Sequence, residues 1–237
     1  MSESVVDSMW TGGDPGAWSD RDAARASRFA AERVRSMANW RLNQALVGRR
    51  YGQRGLQVKP LEMCNEGLAS LRVREGDAVV GTLSVRLDGP QGLSADSVFP
   101  EPMAALREGG QRLCEFTRLA VDDGTESKPV LARLFHMAYL YAYRMQGAEL
   151  IIFEVHPRHV AFYRRMLGSR LVADERLNPH VNAPAVLMCK PLAEIRRNIE
   201  TCGGKPELVS EMRSLYPLFY GPAEEAALLR EMELGAL

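Results

Sequence analysis

A chain of 237 residues with 46% hydrophobic side chains can bury a substantial core, and it fits one domain with extensions better than two large domains. Its 30 Lys and Arg are balanced by 30 Asp and Glu, so no basic excess points to nucleic acid, and an anionic partner has to meet a local patch. No apolar run approaches a membrane span, and the first twenty residues lack the apolar stretch of a secretory leader, which points to the cytoplasm.

Residues 1–19, with Gly12, Gly13, Pro15 and Gly16 among polar neighbours, are predicted to form a flexible arm. Ser19 or Asp20 is predicted to cap a helix reaching about residue 50, with Phe29, Val34, Met37 and Trp40 near helical spacing. Residues 68–73 and 78–85 read as strands joined through Glu75-Gly76-Asp77 into a hairpin. A Gly/Pro loop at 89–92 and a short helix near 102–108 precede a strand over 112–121, largely apolar after Arg112 except for Glu115, Thr117 and Arg118. Ser127 and Pro129 open a helix predicted to reach Met145, since Pro suits a first turn, and Gly147 ends it. A buried strand at 149–155 follows, then a helix from Pro157 to Leu167 closed by Gly168, and strands near 169–175 and 185–189. From Pro191 the pattern is helical, interrupted by Gly203-Gly204, Pro206, Pro217 and Gly221-Pro222. Antiparallel strands followed by a single βαβ step make an α/β sheet of mixed direction, not a doubly wound one.

The cysteines Cys64, Cys114, Cys189 and Cys202 are scattered with no Cys-x-x-Cys pair, which suits reduced thiols better than a disulfide framework or a zinc site. Cys114 and Cys189 sit in apolar runs and read as core. His156 and His159 form His-x-x-His, but Pro157 lies between them and no carboxylate has matching spacing, so no metal is expected. His136 is read as packing on its helix.

Several segments together carry a resemblance. They are Val80-Gly81-Thr82-Leu83, Gly92-Leu93-Ser94-Ala95-Asp96, Cys114-Glu115-Phe116-Thr117-Arg118-Leu119-Ala120-Val121 and Phe153-Glu154-Val155-His156-Pro157-Arg158-His159, the last continuing through Phe162-Tyr163-Arg164-Arg165 to Gly168. With Val181-Asn182-Ala183-Pro184 and Arg213-Ser214-Leu215-Tyr216-Pro217, they resemble in order the long-chain N-acyl amino acid synthases of the FeeM type, over roughly residues 40–235. The resemblance implies the Gcn5-related N-acetyltransferase fold: a mixed, mainly antiparallel central sheet flanked by helices, with splayed central strands and a helical C-terminal extension. It also implies kinship with the acyl-homoserine-lactone autoinducer synthases, which share the Glu-x-x-Arg pattern. The chain is accordingly expected to divide into an arm (1–19), an acyltransferase domain (20–190) and a helical extension packed on the same domain (191–237). Two positions depart from the family's usage, which commonly has Asn at His156 and an aromatic at Ser169.

Acyl transfer to an amine requires loss of a proton from the amine, polarisation of the thioester carbonyl and accommodation of the leaving thiolate. Glu115 is the candidate base, since burial raises a carboxyl pKa while a nearby Arg118 lowers it. The plainer alternative is an internal Glu115–Arg118 ion pair. Three residues apart on a strand, the two share a face only across a bulge, and such a bulge is implied by the superfold. Arg118 could then hold the acceptor's carboxylate through its fork. Tyr163 corresponds to the superfold's tyrosine that protonates the thiolate, although its spacing to Gly168 is one residue longer than usual, and a core tyrosine is the competing reading. Thr117, Leu119, Ala120, Val121, His156, Arg158 and Phe162 are placed by the resemblance along the substrate and acyl-donor path. Met37, Trp40, Phe135, Met137 and Tyr141 wall either an acyl tunnel or ordinary core.

No tightly bound cofactor is expected, and the donor is an acyl group on phosphopantetheine. Acetyltransferases of this superfold cradle the coenzyme A pyrophosphate on a glycine-rich loop at a helix start. Here that stretch, Val121-Asp122-Asp123-Gly124-Thr125-Glu126-Ser127-Lys128, has one glycine and three acids. Carboxylates facing a pyrophosphate repel it, which favours acyl carrier protein, with Lys128, Arg133, Arg158, Arg164 and Arg165 as a docking patch. The alternatives are an acyl-coenzyme A N-acyltransferase and a non-catalytic acyl-carrier-binding protein.

Overall fold

The computed structural model describes residues 28–56 and 67–235. The arm over 1–19, the cap at Ser19 or Asp20, and Cys64 lie outside the described residues.

The helix expected up to residue 50 is two elements. Phe29 and Ala31 are buried with Ala30 exposed between them, so this stretch alternates as a strand, β1 (Phe29–Arg33). Ser36, whose side chain accepts the Asn39 N–H at 3.2 Å, then starts α1 (Met37–Gly52). β2 (Leu68–Glu75) and β3 (Ala78–Leu87) make the expected hairpin, closed at Glu75↔Ala78 with Gly76 at φ +58°. A 3-10 turn (Ser94–Ser97) and α2 (Pro100–Glu108) lead into β4 (Leu113–Val121). α3 (Ser127–Tyr139) runs on as a π-helical turn (Leu140–Met145), and then β5 (Leu150–Val155), α4 (Val160–Leu167), β6 (Arg170–Asn178) and β7 (Ala183–Pro191) follow. The C-terminal stretch holds α5 (Leu192–Cys202), α6 (Val209–Met212) and α7 (Pro222–Leu234).

Among the described residues seven strands lie in the order β1-β2-β3-β4-β5-β7-β6, every pair antiparallel except β4–β5. This is the mixed, mainly antiparallel sheet that the resemblance implies. Side-chain alternation divides its faces. Cys114, Phe116, Val121, Ile151 and Phe153 pack with α3 and α4 in the main core. Leu113, Leu150 and Ile152 face α2 and the 3-10 turn, and Ala120 packs on Leu46 and Val47 of α1. Gly81 lets α3 approach the sheet, since a Cβ there would stand 2.4 Å from Val130.

The C-terminal stretch is anchored on α3. His136, wholly buried, accepts the Tyr220 N–H on Nδ1 (3.0 Å), so its proton sits on Nε2 and is donated to Glu225 of α7 (3.1 Å). Arg144 donates to the other Glu225 oxygen at 2.5 Å. Burial lowers the His136 pKa, against the pull of Glu225, and the ring reads as neutral and structural. Met137 and Tyr141 are core, Trp40 packs with Val34 and Leu68, and Met37 is half exposed. Of the residues weighed for a tunnel, Phe135 lines a cavity. The Cys114 and Cys189 thiols are buried, and burial raises both pKa values.

Candidate active site

β4 and β5 are paired over Leu113↔Leu150, Cys114↔Ile151 and Glu115↔Ile152, and their recorded pairing ends there. On its other side β4 pairs Thr117 with Ser84 but Ala120 with Thr82, so one extra residue is accommodated at Arg118–Leu119. Arg118 takes φ +54°, a left-handed conformation that is costly for a residue with a side chain. Bulge and splay together open a cavity of about 570 Å³ between the strands.

The bulge shifts the alternation of β4 by one residue. Glu115, Arg118 and Ala120 consequently share the α1/α2 face, and Arg118 Nη1 donates to Gln44 of α1 at 3.1 Å. Glu115 is 2% exposed. Its two oxygens accept the backbone N–H groups of Ser94 (2.9 Å) and Ala95 (3.1 Å). The expected choice between a base and a Glu115–Arg118 pair therefore resolves into separate partners for each residue. Burial raises the Glu115 pKa, opposed by those N–H groups and by Arg86, its cross-strand neighbour.

The turn that holds Glu115 explains the Gly92-Leu93-Ser94-Ala95-Asp96 segment. Gly92 has φ +67°, and a Cβ there would meet Asp96 Oδ2 at 2.6 Å. That oxygen accepts the Leu93 N–H at 2.7 Å, which leaves the next two N–H groups aimed at Glu115.

Sequence reasoning passed over Glu154. It lies on β5 two residues beyond Ile152, on the Glu115 face, and accepts from Asn178 Nδ2 at 2.7 Å. Burial pushes its pKa up to about 7, with the Glu115 charge adding and Asn178 opposing. His180, whose Nε2 is 2.9 Å from Ser97 Oγ, lines the same end of the cavity.

Across the splay the wall is apolar: Phe116, Leu131, Phe135, Phe153 and Leu167. Tyr163 joins it, 7% exposed and 5.0 Å from Phe153 ring to ring, and burial raises its pKa so that the hydroxyl keeps its proton. Phe162 stands edge-on to Tyr163. Thr117 and Leu119 also line the cavity, whereas the Ala120 and Val121 side chains are packed into core clusters. His156 lines it while capping the turn before α4, where its Nδ1 accepts the Arg158 N–H at 3.3 Å, the service Asn gives at a helix start. Ser169 is buried, and among the described residues its hydroxyl has no hydrogen-bond partner.

The mouth is basic. Arg158, Arg54 and Tyr51 line it, and neither arginine pairs with a carboxylate among the described residues. Burial, then the neighbouring Arg50 and Arg158, holds Arg54 down to about 10. The loop before α3 is neutralised from α1: Asp122 pairs with Arg49 at 2.9 Å and Asp123 with Arg50. Of the other expected patch residues, Arg133 stacks on Tyr220 at 3.9 Å and Arg164 and Arg165 are exposed on α4. Among the described residues no three His, Cys, Asp or Glu side chains gather as metal ligands, and no helix is long and apolar enough to cross a membrane.

A family model, N-acyl amino acid synthase FeeM, matches residues 43–190, which contain every side chain of this site. The chain belongs to the FeeM N-acyl amino acid synthase family. It is an N-acyltransferase. Its structure is similar to that of FeeM itself, an N-acyl amino acid synthase from uncultured soil microbes (TM-score 0.65, 24% identity, 70% of this chain and 91% of that one). A provisionally named N-acetyltransferase of Lactobacillus plantarum (0.51, 17%, 69% and 98%) and an aminoglycoside N(6')-acetyltransferase of Legionella pneumophila (0.50, 10%, 72% and 95%) share the fold. No protein of curated function matches the chain in sequence.

Proposed function

We propose that this N-acyltransferase joins a long-chain fatty acyl group, carried on the phosphopantetheine of acyl carrier protein, to the α-amine of an amino acid. The observation that carries the reading is the splay of β4 from β5, which links a carboxylate-bearing face to an apolar one through a single cavity. The acyl chain suits the wall of Phe116, Phe135 and Phe153, and the acceptor suits the side of Glu115, Arg118 and Glu154.

In the reaction the acceptor's ammonium loses a proton to a carboxylate, and the freed amine nitrogen attacks the thioester carbon. The C–N bond forms, the C–S bond breaks, and the departing sulfur takes a proton from the Tyr163 hydroxyl, which recovers one from the nitrogen. Arg118 offers the fork geometry that binds the acceptor's carboxylate. Backbone N–H groups at the bulge, or the Thr117 hydroxyl, are suited to polarise the carbonyl.

The carrier-protein donor is favoured by the loop before α3. Asp122 and Asp123 occupy the place of a pyrophosphate cradle and already hold Arg49 and Arg50. A carrier-linked donor presents one phosphodiester, which Arg54 and Arg158 at the mouth suit by charge.

Long-chain acyl carrier protein and long-chain acyl-coenzyme A, each offered with a panel of amino acids and followed by mass spectrometry, test the proposal. The N-acyl amino acid is expected from the carrier-linked donor. Product from coenzyme A alone replaces the donor assignment, and consumption of neither donor overturns the proposed reaction.

A further inference from the structure

Two carboxylates face the acceptor side of the splay, and their surroundings differ. Glu115 has both oxygens occupied by backbone N–H groups of a braced turn. Those bonds favour its ionised form and leave it little room to receive a proton from outside. Glu154 stands where β4 no longer pairs with β5, with one oxygen held by Asn178 and Oε1 free of hydrogen bonds among the described residues. It is oriented, therefore, but not saturated. We infer that Glu154, held by Asn178 across the splay from Glu115, is the group that takes the proton from the acceptor's ammonium, and that Glu115 is a positioning residue acting through it.

The inference rests on the function proposed above and assigns its proton-transfer step. The acceptor enters as an ammonium ion, one N–H proton passes to Glu154, and the nitrogen lone pair attacks the thioester carbon. The acid then returns its proton to water after the amide leaves. Glu115 contributes charge, since carboxylates that interact titrate as a pair and the negative one keeps the other protonated to higher pH. A base titrating at about 7 is matched to exchange with an amine at neutral pH. The charged group acting on Glu154 is Glu115 on β4, itself opposite Arg86 on β3, and the titratable His180 after β6 and His156 beyond the end of β5 line the same cavity. From β7 the facing residue is the apolar Leu187.

The test is the pH profile of kcat/KM for the full chain with long-chain acyl carrier protein and its best amino acid, in wild type, E154Q, E115Q and N178A. Wild type should lose activity below an acid limb near pH 7. E154Q should fall at least about 100-fold and lose that limb. E115Q, with the neighbouring charge gone, should move the limb to lower pH by about one unit, and N178A should move it up. A merely structural Glu154 would change the rate without displacing the limb. If E154Q does not fold, opposite shifts in E115Q and N178A still decide. An unmoved limb in both, or a wild-type limb in E154Q, overturns the assignment while leaving the acyltransferase reading intact. A wild-type protein that consumes no acyl donor overturns both.

Discussion

Arg107 of α2 grips Asp96 with both terminal nitrogens, at 2.6 and 2.7 Å, and Asp88 with Nε and Nη2 at 2.8 and 3.0 Å. The first of these carboxylates closes the turn whose N–H groups hold Glu115. A surface arginine on a helix that lines no part of the cavity thus sets the position of a buried carboxylate inside it.

Arg107→Ala should therefore disturb the site more than the fold. Bonds to charged groups contribute about 1.5–3 kcal/mol, and with its side chain 36% exposed the loss belongs at the lower end. That corresponds to a fall of about 3–6 °C in Tm for a domain of this size. Thermal melts beside kcat/KM check it: activity should fall by more than about 10-fold at temperatures where the variant is fully folded.

Arg118 combines a left-handed backbone with the side chain proposed to bind the acceptor's carboxylate, and Arg118→Gly separates the two. Glycine removes about 1–2 kcal/mol of backbone strain while the bond to Gln44, worth about 1 kcal/mol, is lost. Stability should stay within about 1 kcal/mol of wild type while KM for the amino acid rises at least about 100-fold. Arg118→Lys, which keeps the charge and loses the fork, should lie between.

Glu154→Gln should stabilise the protein at alkaline pH. Burial raises the carboxyl from 4.5 to about 7, so folding takes up a proton between those values. The stability due to the neutral acid is complete below about pH 4.5 and is lost as pH rises through 7. At most about 3.5 kcal/mol is involved, at about 1.4 kcal/mol per unit, and less because Glu115 shares the effect. Melts at pH 8 should show E154Q several degrees above wild type, and at pH 4.5 no gain.

Asp123→Gly should improve the use of acyl-coenzyme A. It removes a charge from the loop before α3 and frees Arg50 for a phosphate. The ratio of kcat/KM for acyl-coenzyme A over the carrier-linked donor should rise by about 10-fold, a change of about 1.4 kcal/mol.

The hairpin and the helix opened by Pro129 were legible because each has a local cause, alternation and a proline, whereas the bulge at Arg118 followed only from the family resemblance. β1 was not legible, because Ala30, Ala31, Glu32 and Arg33 favour helix intrinsically and pairing with β2 overrides them. Glu154 could have been found by the reasoning that singled out Glu115, as a carboxylate inside the apolar run Leu150–Val155. Tyr51 and Arg54 reach the cavity from the end of α1 and the turn after it, Asn178 and His180 from the end of β6 and the turn after it, and no periodicity marks residues that meet only across the sheet.

A crystal structure with a long-chain acyl-pantetheine whose thioester sulfur is replaced by methylene bears on the splayed strands themselves. The pantetheine arm should lie between Phe116–Leu119 and Phe153–Val155, with the acyl chain against Phe135 and the carbonyl carbon facing Glu154. A ligand bound elsewhere, or strands β4 and β5 closed together with the acyl chain outside the cavity, would contradict it.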